Sequence, residues 1–461
     1  MSLIKSISGI RGTIGGKPGE NLSPLDIVKF TAAFGYWLIR KDGNRKVVLG
    51  RDGRISGPMV SDLVANTLIA LGIEVIDLGL STTPTVEMAV TAESAAGGII
   101  ITASHNPKEW NALKLLNAAG EFISGEDGAE VLALAESGEI NFAPVDKLGK
   151  RKTDQDHMQQ HIDAILAHDL VLPAKIAARR FRVVVDAVNS TGAIFVPALL
   201  KALGVRESDI IMLNGDVSGQ FAHNPEPLPE NLMQLSSEVN RSNAELGIAV
   251  DPDVDRLVLV CEDGSMFGEE YTLVAVADYV LGKRKGNTVS NLSSSRALKD
   301  ITEKHGGQYF PSAVGEVNVV KKMKEVNAVI GGEGNGGIIV PELHYGRDAL
   351  IGIALMLSHV AESGKSLGQL RRTYPDYFIN KNKIELQSGV DLAAIFDKLA
   401  VKYKSQPINR EDGLRIEFDN GWVHLRSSNT EPIIRIIAES NFETAAGHMA
   451  QRLISDIREC L

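Results

Sequence analysis

Runs of β-branched residues alternate with helix-forming stretches three times along the chain, and each alternation halts at a polar loop. Strands that alternate with helices specify α/β units, because the helices must cover the faces of a largely parallel sheet. The first pass reads as strand 46–50, Arg51-Asp52-Gly53-Arg54, helix 58–71, strand 74–78, helix 85–92 and strand 98–101. It ends in Thr102-Ala103-Ser104-His105-Asn106-Pro107. The second reads as strand 182–186, helix 193–203, strand 209–213, helix 230–239 and strand 246–250, ending in Asp251-Pro252-Asp253-Val254-Asp255-Arg256. The third takes strand 288–291, a helix after Arg296, strand 308–311, helix 317–324 and strand 328–330. It ends in Gly331-Gly332-Glu333-Gly334-Asn335-Gly336-Gly337. The loop past a strand's carboxyl end is where open α/β sheets bind ligands.

The tail is of another kind. Helix 348–360 is followed by helix 391–403, strands 414–419, 422–426 and 433–438, and a last helix at 442–457. Asp419-Asn420-Gly421 is a hairpin signal between the first two of these strands. The fold class expected is therefore α/β: three related α/β domains, with mixed sheets flanked by helices, and a C-terminal α+β domain. A polar stretch with Gly138, Pro144 and Gly149, a strand near 258–263, and Gly364 to Pro375 mark the breaks. Domains at 1–150, 151–257, 258–372 and 373–461 follow.

A net charge of −10 argues against a nucleic-acid footprint, yet leaves room for a local basic pocket and an anionic small ligand. Cys261 and Cys460 lie far apart and point to a reducing compartment. The start of the chain lacks the pattern of a signal peptide, and no stretch has the ~20 apolar residues that span a bilayer. The expectation is a soluble, cytoplasmic protein with no membrane partner.

Asn106-Pro107 stops the strand before it and leaves Ser104 and His105 in the loop beyond its end. Neighbouring side chains in an extended turn point apart, so a Ser–His hydrolase dyad is not implied. Asp251, Asp253 and Asp255 alternate, and an extended segment would project all three to one side. Three hard oxygen ligands suit Mg²⁺ or Ca²⁺ rather than zinc. An EF-hand fails, because Arg256 stands at the glycine position and 257–261 is a strand run. Mg²⁺ takes few protein carboxylates and completes its octahedron with phosphate oxygens. Arg426-Ser427-Ser428-Asn429-Thr430-Glu431-Pro432, with Arg435 beyond it, suits a phosphate clasp of guanidiniums and backbone donors. Glu333 and Asn335 are the polar side chains of the glycine-rich loop, a donor–acceptor set suited to sugar hydroxyls. Arg347-Asp348 reads as a helix start. Gly364-Lys365-Ser366-Leu367-Gly368 matches G-x-S-x-G but sits at a helix end, where Gly364 reads as a C-terminal cap.

These four loops, in this order, resemble those of the α-D-phosphohexomutases. Thr102–Pro107 is similar to the family's phosphoserine loop, with Asn111 and Lys114 matching positions downstream. Asp251–Arg256 resembles its D-G-D-x-D-R metal loop, 332–337 its sugar loop and 426–435 its phosphate loop. Ser8–Gly12 and Arg51–Arg54 resemble its N-terminal G-x-R-G and R-D-x-R segments. Departures are Pro252 for glycine, Ala112 for glycine, and Asn335 and Gly337 where many bacterial members carry Ser and His. The last of these puts a histidine contact with the sugar in question.

The resemblance implies four domains around a central active-site cleft and a mutase that interconverts hexose 6-phosphate and hexose 1-phosphate. A phosphoserine at Ser104 would donate to the sugar, pass through a hexose bisphosphate, and be restored from the sugar's other phosphate. It implies Mg²⁺ on Ser104, Asp251, Asp253 and Asp255, and His105, Lys114, Arg11 and Arg256 in catalysis. Glu333 and Asn335 would bind sugar, and Arg426, Ser428, Asn429, Thr430 and Arg435 the idle phosphate. Phosphoglucosamine mutase is favoured over phosphomannomutase or phosphoglucomutase. A Mg²⁺-dependent sugar phosphatase and a sugar-phosphate binding protein are the alternatives of other classes. Monomer and homodimer both stay open.

Overall fold

The computed structural model describes residues 2–6, 9–386, 390–427 and 433–460, whose strands form four sheets. Each of the three passes folds into its own mixed sheet flanked by helices, and the tail forms an antiparallel sheet. In the first sheet the order is Ile4–Ser6, Gly9–Thr13, Trp110–Leu116, Gly97–Ile101, Lys46–Arg51, Glu74–Leu80 and Arg151–Thr153. The three central strands, Gly97–Ile101, Lys46–Arg51 and Glu74–Leu80, run parallel. Their apolar runs are continuous because both faces are covered. Val47, Leu49, Ile99 and Ile101 join one core cluster while Val48 and Ile100 join the cluster on the opposite face. The helix Pro24–Asp42, which covers the first face, opens on a capping box from Ser23 and Asp26 and closes on Gly43 at φ 75°.

A single device repeats in the first three sheets. The parallel strand that precedes each polar loop is followed by an antiparallel partner: Gly97–Ile101 by Trp110–Leu116, Leu246–Val250 by Leu257–Cys261, and Ala328–Glu333 by Gly337–Ile339. Each loop is thus a hairpin tip at a sheet end, a position that fixes its two stems firmly. The second sheet runs Leu257–Cys261, Leu246–Val250, Val183–Asp186, Ile210–Leu213, and the third Tyr309–Ser312, Asn287–Asn291, Ala328–Glu333, Gly337–Ile339. Two expected boundaries therefore cut across strand pairs. Arg151–Thr153 pairs with Glu74–Leu80 and belongs to the first sheet, and Leu257–Cys261 belongs to the second.

In the tail, Phe378–Glu385, Ile433–Ser440, Gly421–Ser427, Leu414–Phe418 and Ile408–Asn409 lie side by side, all antiparallel. The helices Leu392–Lys402 and Glu443–Cys460 close over Val423, Leu425, Ile434 and Ile436. The hairpin forms one residue earlier than Asn-Gly chemistry implies. Phe418 faces Gly421, so the loop is Asp419-Asn420. Gly421 is needed for a different reason: a Cβ there would lie 1.9 Å from the carbonyl oxygen of Glu439 on the next strand. No helix among the described residues is long and apolar enough to cross a membrane.

The sheets meet through buried polar contacts. His344 presents its two ring nitrogens to Glu87 of the first domain and Asp348 of its own, each at 3.3 Å, while His161 lies 2.9 Å from Asp348. Burial works against a charge on His344, but Asp348 and Glu87 outweigh it and push the imidazole up to about 10.

Candidate active site

Ser104 sits at the tip of the first hairpin in a left-handed conformation, φ 49°, and is almost fully buried. Non-glycine residues adopt that conformation at a cost, so the surroundings must impose it. Arg54 does much of this. Wholly buried, its guanidinium donates to the carbonyl oxygens of Ser104 at 2.6 Å, Asn106 at 2.7 Å, Pro107 at 2.7 Å and Trp110 at 2.9 Å. Asp52 holds Arg54 Nε at 3.0 Å and accepts from Thr102 Oγ1, whose oxygen in turn accepts from the Ser104 backbone N–H. Arg51-Asp52-Gly53-Arg54 is therefore the brace of the serine loop. Arg11, on Gly9–Thr13, donates to Asn106 Oδ1 at 3.1 Å.

The hydroxyl of Ser104 donates to Asp251 Oδ2 at 2.7 Å, which joins the first and second hairpin tips. The three aspartates do converge, with one oxygen of each within 4.8 Å of the others. They do so through a tight turn and not the extended segment expected: Val254 has φ 61° and its N–H bonds back to the carbonyl of Asp251. Ser190 and Thr191 hydroxyls donate to the carbonyl of Pro252 at 2.7 and 2.9 Å. Thr83 reaches over from the first domain to donate to Asp253 Oδ2 at 2.5 Å. Lys114, on the strand after the serine loop, lies 2.7 Å from the same oxygen and 3.6 Å from Asp255 Oδ2.

The electrostatics follow from this crowding. Burial, with Asp255 and Asp253 alongside, pushes Asp251 well above the usual carboxylate range. Burial also opposes charge on Asp253, but Lys114, Thr83 and Arg347 hold it below that range. For Lys114 burial is outweighed by Asp253 and Asp255, which raise it. Burial and the Arg256 and Arg11 guanidiniums push His105 well below its ordinary value, and its Nδ1 lies 3.4 Å from Ser104 Oγ. Asp253 Oδ1 and Asp255 Oδ1 are buried with no hydrogen-bond partner. Unpaired buried carboxylate oxygens are costly, and a hard divalent cation satisfies them. The donor set fits Mg²⁺. Arg256 lies at the rim of this cluster, its Nε 4.0 Å from both Asp251 and Asp255.

A cavity of about 430 Å³ opens over Ser104 and is walled by Lys114, Arg256, Glu333, Asn335, Arg347 and Arg426, so all four domains contribute. Glu333 ends its strand with Oε1 accepting from Asn291 Nδ2 at 2.8 Å and from the Gly315 N–H at 3.1 Å. Burial opposes its charge, and Arg347 and Asn291 overcome it and lower the carboxyl. Asn335 Oδ1 accepts from the N–H of Gly337. Arg347 is the residue that sequence reading misses. Asp348 caps the helix Ala349–Ser363 as read, but the Arg347 side chain turns inward. It donates to Glu316 Oε2 at 2.9 Å, Glu333 Oε2 at 3.1 Å and Asp255 Oδ2 at 2.7 Å. Thr83, Glu316 and Asn291 also carry no motif that would single them out.

In the tail domain, Arg426 is the penultimate residue of the strand Gly421–Ser427, with Nε 2.8 Å from Asp412 Oδ2. Arg435 stands directly opposite it on Ile433–Ser440, on the same sheet face and exposed. Ser428, Asn429 and Thr430 lie outside the described residues, as does Ser8.

Family profiles described as phosphoglucomutase/phosphomannomutase alpha/beta/alpha domains I, II and III match residues 3–141, 159–264 and 268–377. The profile of the family's C-terminal domain matches 381–455. A phosphoglucomutase/phosphomannomutase of Thermococcus kodakarensis is 36% identical over 458 residues, covering 98% of both chains. A probable phosphoglucosamine mutase of Methanopyrus kandleri is 32% identical, covering 98% of this chain and 97% of its own. Among solved structures, a phosphoglucomutase/phosphomannomutase family protein of Burkholderia thailandensis superposes with a TM-score of 0.86 at 26% identity, covering 99% of this chain and 98% of the other. Four profiles in order over nearly the whole length, and a serine loop set on an acidic triad, lead to one conclusion: the chain belongs to the phosphoglucomutase/phosphomannomutase family, the α-D-phosphohexomutases.

Proposed function

We propose that the protein is a phosphohexomutase that interconverts hexose 6-phosphate and hexose 1-phosphate, with glucosamine phosphate as its preferred substrate. The observation that carries this reading is the 2.7 Å contact of Ser104 Oγ with Asp251 at a cavity to which all four domains contribute. A phosphoryl group on that oxygen would lie between the acidic triad and the cavity. Mg²⁺ on Asp251, Asp253, Asp255 and the seryl phosphate would neutralise the charge of the transferring group.

In the first half-reaction the Ser104 Oγ–P bond breaks as a bond forms from phosphorus to a sugar hydroxyl oxygen. His105, beside Ser104, accepts the hydroxyl proton, and Lys114, on Asp253, supplies one to the departing seryl oxygen. The second half-reaction reverses these roles with the bisphosphate turned end for end, and returns the other phosphate to Ser104. Arg11 and Arg256 line the path of the phosphoryl group. Glu333 and Asn335 bind the sugar ring, and Arg426 and Arg435, with Ser428, Asn429 and Thr430, hold the idle phosphate. A clasp remote from the reacting phosphate spends binding energy on orientation. It also argues against a simple phosphatase, which has one phosphate to bind.

Parallel assays with glucosamine 6-phosphate, mannose 6-phosphate and glucose 1-phosphate, with and without Mg²⁺, test the proposal. The highest kcat/KM is expected for glucosamine 6-phosphate. Release of inorganic phosphate in place of isomerised product would establish the phosphatase reading instead.

A further inference from the structure

Gly337 and the side chain of Arg347 compete for one space. A Cβ at position 337 would lie 2.3 Å from Arg347 Cδ and 3.1 Å from its Cγ, well inside van der Waals contact. Because position 337 has no side chain, Arg347 can cross the base of the glycine-rich loop and reach the acidic triad. Arg347 reaches the cavity wall from the residue before a helix cap.

The guanidinium spends its three nitrogens on three carboxylates from different parts of the chain. Glu316 begins the helix Glu316–Glu325, Glu333 ends a strand of the sugar loop, and Asp255 belongs to the second domain. Arg347 is only 9% exposed at its side chain, so these contacts are shielded from water. Its grip on Asp255 is selective: Oδ2 is held at 2.7 Å, while Oδ1 is left buried without a hydrogen bond, with Arg256 Nε at 4.0 Å. A carboxylate can rotate about its last bond, and Lys114 Nζ at 3.6 Å is a competing partner. Tying down one oxygen fixes the other toward the place where a cation would sit. Supporting groups of this kind orient metal ligands and typically change affinity 10–100-fold.

We infer that Arg347 is a positioning residue that locks the carboxylates of Asp255 and Glu333 to one guanidinium, so that cation binding and sugar binding share a single support. The inference rests on the mutase reading for its sugar and its cation. Glu316 completes the arrangement by holding Nε and the Arg347 backbone N–H, which orients the fork. The planar guanidinium reaches three carboxylates at once with fixed geometry, which an ammonium reproduces only as a point charge.

The test is Mn²⁺ binding to the full-length protein without sugar, read from the electron paramagnetic resonance signal of free Mn²⁺. Arg347→Met should raise the dissociation constant about 10-fold or more, and Arg347→Lys should recover part of the loss. Gly337→Ala gives an independent route, since it displaces the guanidinium and keeps its charge. It should weaken Mn²⁺ in the same direction, and both changes should raise KM for the sugar phosphate. If Arg347→Met does not fold, Gly337→Ala alone decides. Unchanged Mn²⁺ affinity in a folded variant would overturn the inference. So would tighter binding, which would mean that Arg347 merely competes with the cation. Wild-type protein that binds no Mn²⁺ would remove the metal reading itself, and this inference with it.

Discussion

Arg54 makes a demanding test of how the serine loop is held. It is fully buried, pairs with an equally buried Asp52, and supplies the donors for four backbone carbonyls between Ser104 and Trp110. Arg54→Met keeps much of the side-chain volume and removes every one of these bonds. Losing one partner of a buried ion pair costs about 3–5 kcal/mol, because the remaining charge has no compensation. At about 1.4 kcal/mol per decade, that corresponds to roughly two to three and a half decades in the opening equilibrium. Hydrogen exchange at the amides of Gly97–Ile101 and Trp110–Leu116 reads that opening locally, without assuming that a four-domain chain unfolds in one step. The pH dependence has a definite sign. Burial holds the Asp52 carboxyl above its usual value even with Arg54 and Thr102 lowering it. A folded-state pKa above the unfolded value means that the folded form binds the proton more tightly, so stability is lost as pH rises through the folded pKa. Without Arg54 that pKa rises further. The defect should therefore be larger at about pH 8 than at about pH 5.5, and Asp52→Asn in the same chain should recover part of it. If Arg54→Met changes exchange less than about threefold at pH 8, the loop does not depend on this brace.

Thr83→Val removes one hydroxyl donor from Asp253 at nearly constant volume, and Mg²⁺ affinity measured by calorimetry should fall about 10-fold. An unchanged constant would make Thr83 a bystander at the domain seam. Gly421→Ala places a methyl group against the Glu439 carbonyl and should destabilise the tail domain by about 1–3 kcal/mol. Wild-type exchange rates along Gly421–Ser427 would show that the strands simply move apart. Asp253→Asn should abolish divalent-cation-dependent turnover while the first and third sheets keep their exchange protection. Full activity would take the metal away from the triad.

The three-pass architecture is legible in sequence because strands buried on both faces must be apolar throughout, as Val47, Val48 and Leu49 or Ile99, Ile100 and Ile101 are. Two of the three antiparallel strands that follow the loops are harder to read for the converse reason. Trp110–Leu116 buries Asn111 and Lys114, and Gly337–Ile339 has only three residues, so neither carries a clear apolar run. The Asp251, Asp253 and Asp255 spacing implies that the three carboxylates converge, and they do, but on a different backbone. Alternation suggests an extended chain, whereas hairpin closure forces Val254 into a left-handed turn. Arg347 and Thr83 escape for another reason. Their partners lie 14, 31 and 92 positions away in one case and 170 in the other, and no local pattern encodes contacts so distant along the chain, of which those to Asp255 and Asp253 cross between domains.

In the proposed mutase, Ser104 carries the phosphoryl group between enzyme and sugar. To test this most directly, protein phosphorylated from a radiolabelled hexose bisphosphate and freed of that donor is divided. One portion is digested to locate the label, and the other is mixed intact with glucosamine 6-phosphate in a single turnover. Label is expected on the peptide containing Ser104 and then in a glucosamine bisphosphate, with neither seen in Ser104→Ala. Isomerised product formed at the wild-type rate by Ser104→Ala, or label released only as inorganic phosphate, would contradict it.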